Sequence, residues 1–316
     1  MRPIQIAAAW ISVFYLAVPA SAWNAMGHRA VAAIAYEHLT PQTRARVDEL
    51  LKNHPDYGTL LTVDAPAGPA TAIARAAFLA AAVWPDTIKG DARFYDNLHK
   101  DSLPTPLLPG FPDMARHTDW HYYDMPFSGD GSPTKEGSVP NALTESRRLI
   151  KEIAGHSTDA ARLSYDLPWI EHISGDLHQP LHCVSRFLKS QPDGDAGGNF
   201  VFVSPHENLH AFWDDSAGTD TSDAYIAKYI KVAEAEHPIS AALENNPQLE
   251  LDPETWINEG FKIAKTNVYT FGPETGSKDA PIQLSTRYQG TASRVARAQI
   301  ALAGYRLAAV LNASLK

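Results

Sequence analysis

The chain has 316 residues, of which 44% are hydrophobic and 20% are charged, and its formal net charge is −9. This length and apolar content are sufficient for a large core and exclude a chain that is disordered throughout. The negative charge argues against a basic protein that wraps duplex nucleic acid. It is compatible with a small site in which bound metal ions supply the positive charge.

The first 22 residues have the pattern of an export signal. Arg2 supplies a short positive region, residues 4–18 form an apolar run, and Ala20-Ser21-Ala22 is a small-x-small cleavage pattern. We therefore predict a signal peptide over 1–22 and a mature protein that begins at Trp23. It would be located in the periplasm or outside the cell, with no membrane anchor after cleavage. The alternative is that this segment is a membrane anchor or a buried helix.

Helical patterns dominate the rest of the chain. Apolar periodicity, caps and first-turn prolines predict helices at 25–39, 41–53, 70–84, 141–154, 168–186, 221–236, 253–270 and 289–313. Residues 199–204 are the best strand candidate and would form at most a small β-hairpin. Since no connection resembles a domain linker, we predict a mainly α fold with a single multi-helix domain over 23–316. Cys183 is the only cysteine, so no internal disulfide can form.

The amino terminus that export would create is itself a candidate metal ligand. A new α-amino group at Trp23 would have a pKa of about 7.7–8.0, so its deprotonation for a metal costs little near neutral pH. Its nitrogen and carbonyl oxygen could chelate one ion, and His28 could complete that site. The alternative is that Trp23 is only the first ordered residue.

Two further segments place charged groups beside aromatic residues. Trp84-Pro-Asp86-Thr-Ile-Lys89 offers a carboxylate and a cation at a helix end, and Asp119-Trp-His121-Tyr-Tyr-Asp124 offers an imidazole among aromatic rings. Taken alone, each segment is better explained as structural, by a helix cap or by a histidine that hydrogen bonds satisfy.

The richest pattern of metal-ligand residues lies between positions 172 and 214. His172 and Asp176 are four residues apart and share one face of a helix, and Pro180 should bend that helix so that His182 turns toward a second metal. His178 should point elsewhere. His210 and Asp214 repeat the spacing of four, and imidazole with carboxylate suits zinc. One such pair alone is better explained as an ion pair on a helix surface, whereas two pairs, one of them extended by His182, favour a metal site.

Spacing alone does not select the ligands. Two other histidine pairs, His117 with His121 and His206 with His210, are also four residues apart.

Taken together, these motifs resemble those of the S1/P1 nucleases, the zinc-dependent, single-strand-specific nucleases of fungi, plants and bacteria. They occur in family order between residues 23 and 214. The matching segments are Trp23-Asn-Ala-Met-Gly-His28, Trp-Pro-Asp86, Trp-His121-Tyr-Tyr-Asp124, His172-x-x-x-Asp176-Leu-His-Gln-Pro-Leu-His182, Gly197-Gly-Asn199 and Asn-Leu-His210-x-x-x-Asp214. The cysteine pairs of eukaryotic members are absent, and the segment from Cys183 to Gly197 is long.

The resemblance implies a helical fold around three zinc ions. One ion would be held by Asp86, His121, His172 and Asp176. Asp176 would bridge to a second ion, which the main chain of Trp23 and His28 would hold. The third ion would be held by His182, His210 and Asp214.

The same resemblance assigns substrate contacts. Lys89, Asp124 and Asn199 match positions near the scissile phosphate or the base, and Tyr122 occupies the position of an aromatic residue that stacks a nucleobase. It implies a monomeric endonuclease that acts on single-stranded DNA and RNA and on 3′-nucleotides, with 5′-phosphorylated products. Closely spaced metal ions would activate water and neutralise the phosphoryl oxygens.

Two other functions fit parts of the pattern. A zinc-dependent phospholipase C would also begin at Trp, but Asp214 and the Gly-Gly-Asn199 element favour the nuclease. A non-catalytic exported zinc-binding protein would need closed metal sites, whereas Lys89 and Tyr122 beside the ligands indicate an open one.

Overall fold

The computed structural model describes residues 23–99, 101–155, 159–245 and 249–315. Over this part of the chain the fold is mainly α, as predicted. The α-helices are α1 Ala25–His38, α2 Pro41–Leu51, α3 Ala70–Ala81, α4 Trp84–Thr87, α5 Ala142–Ala154, α6 Ala160–Asp176, α7 Leu209–Asp214, α8 Asp223–Glu236, α9 Ile239–Asn245, α10 Pro253–Ile263 and α11 Thr286–Ser314. The predicted signal peptide lies outside the described residues.

Helix α1 lies at the centre of the helical assembly. It packs against α3, α6, α8 and α11, and its side chains are buried from Ala30 to Tyr36 on every face. Small alanine side chains allow this, because neighbouring helices can approach from all sides. A Cβ atom at Gly304 of α11 would lie 2.6 Å from Cβ of Ile34, so only glycine permits the close crossing of α1 and α11.

Capping side chains begin several helices where the sequence predicts them. Asn24 accepts hydrogen bonds from the first turn of α1, and Thr40 does so for α2, in which Pro41 is the first residue. Asn141 forms a capping box at α5. Each cap satisfies amide groups that have no partner inside the helix.

The helix predicted over 168–186 is wrong in its bounds. Helix α6 begins at Ala160, contains Pro168 in its interior and ends at Asp176, and a separate 3-10 turn, Pro180–Cys183, follows. Proline has no amide proton, so Pro180 starts the new turn instead of bending a continuous helix. The helix predicted over 70–84 ends earlier, at Ala81, before α4 begins at Trp84. The helix predicted over 253–270 ends at Ile263, where a π turn follows α10.

The strand predicted over 199–204 is confirmed only at its end, and it does not belong to a hairpin. Within the described residues only β3 Val203–Ser204 is a strand there, and it pairs in parallel with β4 Ile282–Gln283. Gly197 and Gly198 have φ values of +60° and +85°, so the chain turns where a strand would need extended backbone.

A second short parallel pair brings two parts of the site together. Strand β1 Pro126–Ser128 pairs with β2 Ser185–Phe187, so the segment after His121 runs beside the segment after His182.

Among the described helices, none combines the length and apolar character needed to cross a bilayer.

Candidate metal centre and cleft

Five side chains that are distant in sequence meet beside the amino-terminal end of α1. We call them the central cluster: His28 of α1, Asp86 of α4, His121 of the 3-10 turn Thr118–His121, and His172 and Asp176 of α6. Except for Asp86, whose side chain is 13% exposed, all are at most 1% exposed. Their meeting therefore depends on the packing of α1, α4 and α6 and not on one local motif.

The ligand atoms of the central cluster converge at short distances. Oδ2 of Asp176 lies 3.2 Å from Nδ1 of His121 and 3.3 Å from Nε2 of His172. Its other oxygen, Oδ1, lies 3.3 Å from Nε2 of His28. Oδ1 of Asp86 is 3.6 Å from Nε2 of His172. Asp176 thus faces imidazoles with both of its oxygens.

Gly175 makes room for His28 beside helix α6. A Cβ atom at this position would lie 2.8 Å from Nδ1 of His28. Without it, the rings of His28 and His172 stack with centroids 3.9 Å apart. A glycine between the two α6 ligands is therefore a requirement of the site geometry.

Three further side chains, His182, His210 and Asp214, form the lateral cluster. His182 comes from the 3-10 turn Pro180–Cys183, and the other two come from α7. Asn208 caps α7 through the amide of Ala211, which fixes the start of this short helix. Nε2 of His182 lies 3.0 Å from Nε2 of His210, which is 3.6 Å from Oδ2 of Asp214.

Backbone carbonyls determine which imidazole nitrogens carry the protons. Nδ1 of His172 donates to the carbonyl oxygen of Ala82, and Nδ1 of His182 donates to that of His121, both at 2.7 Å. Nδ1 of His210 donates to the carbonyl oxygen of Gly197 at 2.8 Å. In the neutral rings all three Nε2 atoms therefore carry lone pairs. Those of His182 and His210 face each other, and such lone pairs repel unless a cation lies between them. This orientation is typical of metal-binding histidines.

The ligand atoms of His28 and Asp176 are buried without hydrogen bonds. Among the described residues, none forms a hydrogen bond with either ring nitrogen of His28 or with either carboxyl oxygen of Asp176. Buried polar atoms are normally paired, so orphaned atoms call for an explanation. A cation bound between these nitrogen and oxygen atoms would explain why they have no hydrogen bonds.

Burial controls the protonation of the imidazoles. It lowers the pKa of His28 and of His172 to about 4. It also lowers the pKa values of His121 and His182 well below the usual range. At neutral pH these rings are uncharged and keep a lone pair for a metal.

The pKa values of the three carboxyl groups shift in different directions. Burial raises the pKa of Asp176 to about 8 and that of Asp214 well above its usual range. Burial would raise the pKa of Asp86 as well, but the Lys89 ammonium 2.7 Å away and the nearby imidazoles outweigh it and lower that pKa. Two of the three carboxyl groups thus lack the positive charge that would keep them ionised.

The donor sets fit zinc. Within the described residues, three groups of imidazole and carboxylate atoms lie close enough to share an ion: His28, Asp86 and His172; His121, His172 and Asp176; and His182, His210 and Asp214. Nitrogen with carboxylate oxygen is the ligation that zinc accepts. Because the first two groups share His172, distances alone do not assign each ligand to one ion.

Trp23 lies beside the central cluster. It is fully buried, with its side chain against Gly27 and near Gly175. The amide of Asn24 approaches the carbonyl oxygen of Asp214 at 3.4 Å, and the Asn24 side chain donates to Asp215 and to the carbonyl of Gly218. The start of α1 is therefore held next to both clusters.

Other histidines have ordinary partners. His117 bonds Asp113 at 2.9 Å and stacks on Trp120. His206 lies 3.2 Å from Asp215. His178 donates to the carbonyl of Ser174 and points away from the central cluster, as predicted. The spacing of four that these residues share with the ligands does not place them in either cluster.

A cleft of about 530 Å³ opens onto the lateral cluster. Its wall includes His182 and His210 of the lateral cluster and the predicted substrate residues Lys89, Tyr122, Asp124 and Asn199. Burial raises the pKa of Asp124 to about 6, and the Asn199 amide donates to the carbonyl of Ala196 at 2.8 Å. All four predicted substrate residues therefore face the same space.

Some residues of the site were missed by sequence reasoning. Gln179 donates to Oδ1 of Asp214 at 2.7 Å and orients it, and its place inside the His-Gln-Pro-Leu-His motif was the available signal. Leu98, Arg116 and Phe200 also line the cleft. They lie in irregular segments, where periodicity gives no signal.

Comparisons with known proteins agree with this geometry. Residues 23–316 match a family model described as S1/P1 nuclease. The chain is 27% identical to endonuclease 5 of Arabidopsis thaliana over 203 residues, which are 61% of this chain and 55% of that relative. It is 23% identical to endonuclease 3 of the same plant over 92% of this chain and 88% of the relative. It is also 23% identical to endonuclease 2 of the same plant, over 67% of this chain and 61% of that relative. The alignment thus spans about half the length of the first relative.

Proposed function

We propose that this chain, which belongs to the S1/P1 nuclease family, is a zinc-dependent endonuclease that cleaves single-stranded DNA and RNA. Its products would carry 5′-phosphates, and it would also remove the phosphate from 3′-nucleotides. The observation that carries the proposal is the convergence of imidazole and carboxylate lone pairs at a cleft that Tyr122, Asp124 and Asn199 line.

Three zinc ions would be divided between the two clusters. Asp86, His121, His172 and Asp176 would hold one ion, and Asp176 would bridge to a second held by His28 and the main chain of Trp23. The lateral cluster would hold the third. The two oxygens of Asp176, each directed at different imidazoles, support its bridging role.

Bound zinc ions supply an activated water and positive charge against the phosphoryl oxygens. Lys89 would add to this charge, because its side chain is 7% exposed and lines the cleft. Fixed positive charge near the transferred phosphoryl group stabilises the transition state more than the ground state. Asp86 keeps Lys89 in position through their 2.7 Å ion pair.

The cleft wall gives a physical reason for preferring single strands. A base that stacks on Tyr122 must leave its neighbours, and this costs least when the strand is unpaired. Stacking on an aromatic side chain contributes about 1–3 kcal/mol per base and accepts many sequences. Asp124 and Asn199 would hydrogen-bond the base edge.

Export and domain organisation complete the proposal. Removal of residues 1–22 would free the Trp23 amino group, and residues 23–316 would form one monomeric nuclease domain. The family match that begins at residue 23 supports this boundary. The mature protein would act in the periplasm or outside the cell, without a membrane anchor.

The test uses zinc-loaded protein that begins at Trp23. It is incubated with a single-stranded oligonucleotide, with the same sequence as a duplex, with a 3′-mononucleotide and with phosphatidylcholine vesicles, and product ends are identified by mass spectrometry. We expect rapid single-strand cleavage to 5′-phosphates, slower duplex cleavage and release of phosphate from the 3′-nucleotide.

Cleavage of the lipid alone would contradict the proposal and favour a phospholipase. Zinc binding without turnover of any substrate would favour a metal-binding protein. Tyr122→Phe, which keeps the ring, should retain the KM for the oligonucleotide, whereas Tyr122→Ala should raise it.

A further inference from the structure

The mouth of the cleft carries apolar side chains that the proposed function does not use. Phe200 and Leu98 line the cleft and are 39% and 50% exposed. The other phenylalanines of the described residues are all less exposed than Phe200. An exposed aromatic ring on the wall of a binding cleft is a surface on which a nucleobase can stack.

The backbone around Phe200 is held in place. Its amide donates to the carbonyl of Asp195 at 3.2 Å, and its carbonyl accepts from the Gln191 side chain at 2.8 Å. Asp195 is itself buried and accepts from the Tyr269 hydroxyl at 2.8 Å. The ring is therefore presented by an anchored loop, which lowers the entropy lost when a base binds.

Arg116 adds a cation to the same cleft. Nη2 donates to the carbonyl of Asp91 at 3.2 Å. The Asp91 carboxylate lies near the guanidinium, but its short ion pair, at 2.7 Å, is with Arg93. An arginine that is not engaged in a short ion pair is suited to binding a phosphate.

We propose that Phe200, Leu98 and Arg116 form a second nucleotide subsite next to the one at Tyr122. The neighbouring base of a single strand stacks on Phe200 and contacts Leu98, and Arg116 binds the phosphate that flanks it. The subsite rests on the proposed nuclease function and on its continuity with that cleft. It makes substrates of two or more nucleotides bind more tightly than a 3′-mononucleotide.

Steady-state kinetics on a dinucleotide and on a 3′-mononucleotide test the base contact. Phe200→Ala should raise the KM for the dinucleotide about 5- to 100-fold more than the KM for the mononucleotide, the range that loss of one stacked base gives. Phe200→Tyr should preserve the wild-type ratio. Leu98→Ala should shift the ratio in the same direction, and Leu103→Ala, an exposed leucine outside the cleft, should not.

The phosphate contact is tested through salt dependence. Arg116→Gln should reduce the slope of log kcat/KM for an oligonucleotide against log salt concentration by about 0.7, the value for one contact on a single strand. Arg294→Gln is the control, because Arg294 lies outside the cleft. Zinc content and thermal melting of each variant verify that the fold and metals are retained.

The outcomes separate the two proposals. If the wild-type protein cleaves neither substrate, the nuclease function itself is wrong, and the subsite with it. If it cleaves the dinucleotide but Phe200→Ala leaves the KM within twofold of wild type, or raises both KM values equally, the second subsite is wrong and the nuclease function stands.

Discussion

Helix α6 and the turn that follows it contribute to two buried polar regions, which differ in how their polar groups are paired. His172 and Asp176 enter the central cluster, where both Asp176 oxygens lack hydrogen bonds from described residues. His178, two residues further on, belongs to a network in which Nδ1 donates to Ser174 and Nε2 accepts from Arg306 at 3.0 Å. Arg306 also binds Glu259 at 2.7 Å.

The contrast shows that buried His and Asp residues alone do not identify a metal centre. In the Arg306 network each charge has a protein partner, so the network needs no bound ion to satisfy its buried polar groups. In the central cluster the ring nitrogens of His28 and both oxygens of Asp176 have no hydrogen bond from the described residues, and a bound cation would satisfy them.

The largest effect is expected from Asp176→Asn. The amide cannot supply two anionic oxygens, so zinc content should fall and turnover should drop about 1000-fold or more. Metal analysis and single-strand cleavage measure this. Asp166→Asn is the control, because Asp166 is a buried α6 aspartate that pairs with Arg162 at 3.0 Å and lies outside both clusters. Near-normal activity of Asp176→Asn would remove its bridging role.

A change at the amino terminus should have the next largest effect. Two residues kept before Trp23 would block its amino group from a metal, so one of three zinc ions should be lost and activity should fall at least about 10-fold. The same two residues added after Lys316 are the control. Unchanged zinc content in the first variant would refute the amino-terminal ligand.

The Arg306 network should affect stability without affecting metals. Arg306→Leu leaves Nε2 of His178 without its donor and Glu259 without its ion pair, so the free energy of unfolding should fall by about 2–4 kcal/mol. Arg297, on the same helix as Arg306, forms an exposed ion pair with Glu236 of α8 and gives a control, and Arg297→Leu should cost about 1 kcal/mol or less. Denaturant unfolding and zinc analysis separate the effects, and zinc loss in Arg306→Leu would contradict this division.

The smallest effect concerns the pH dependence of the metal-free protein. The folded-state pKa of Asp176, about 8, lies above the unfolded value of about 3.9, so its stabilising contribution is lost as pH rises toward 8. The lowered pKa values of His28 and His172, about 4, act oppositely, but only between about pH 4 and 6.5. The histidine contribution is therefore constant above pH 6.5.

From pH 6.5 to 8 the metal-free protein should lose about 1–2 kcal/mol of unfolding free energy. Thermal melting across this range measures the loss. Zinc-loaded protein should not show it, because the bound cation keeps the carboxylate ionised. A metal-free protein that becomes more stable over the same range would contradict the charge balance described for the central cluster.

Much of the helical fold was predictable because its signals are local. Asn24, Thr40 with Pro41, and Asn141 mark helix starts through hydrogen bonds within four residues. The failures have tertiary causes. Pro168 is accommodated inside the buried helix α6, and the positive φ values at Gly197 and Gly198 break the apparent strand.

The site was predictable where ligands share a helix. His172 with Asp176, and His210 with Asp214, follow from a spacing of four, and the structure brings both pairs to the clusters. The need for glycine at position 175 and the positions of Arg116 and Phe200 depend on contacts between distant segments. No local pattern contains that information. The metal-binding roles themselves remain predictions.

Anomalous diffraction at the zinc absorption edge, from crystals of protein that begins at Trp23, tests the metal centre most directly. Three peaks are expected: two in the central cluster on either side of Asp176, and one between His182, His210 and Asp214. Absence of peaks, with the rings of His182 and His210 turned to hydrogen-bond each other, would contradict the account.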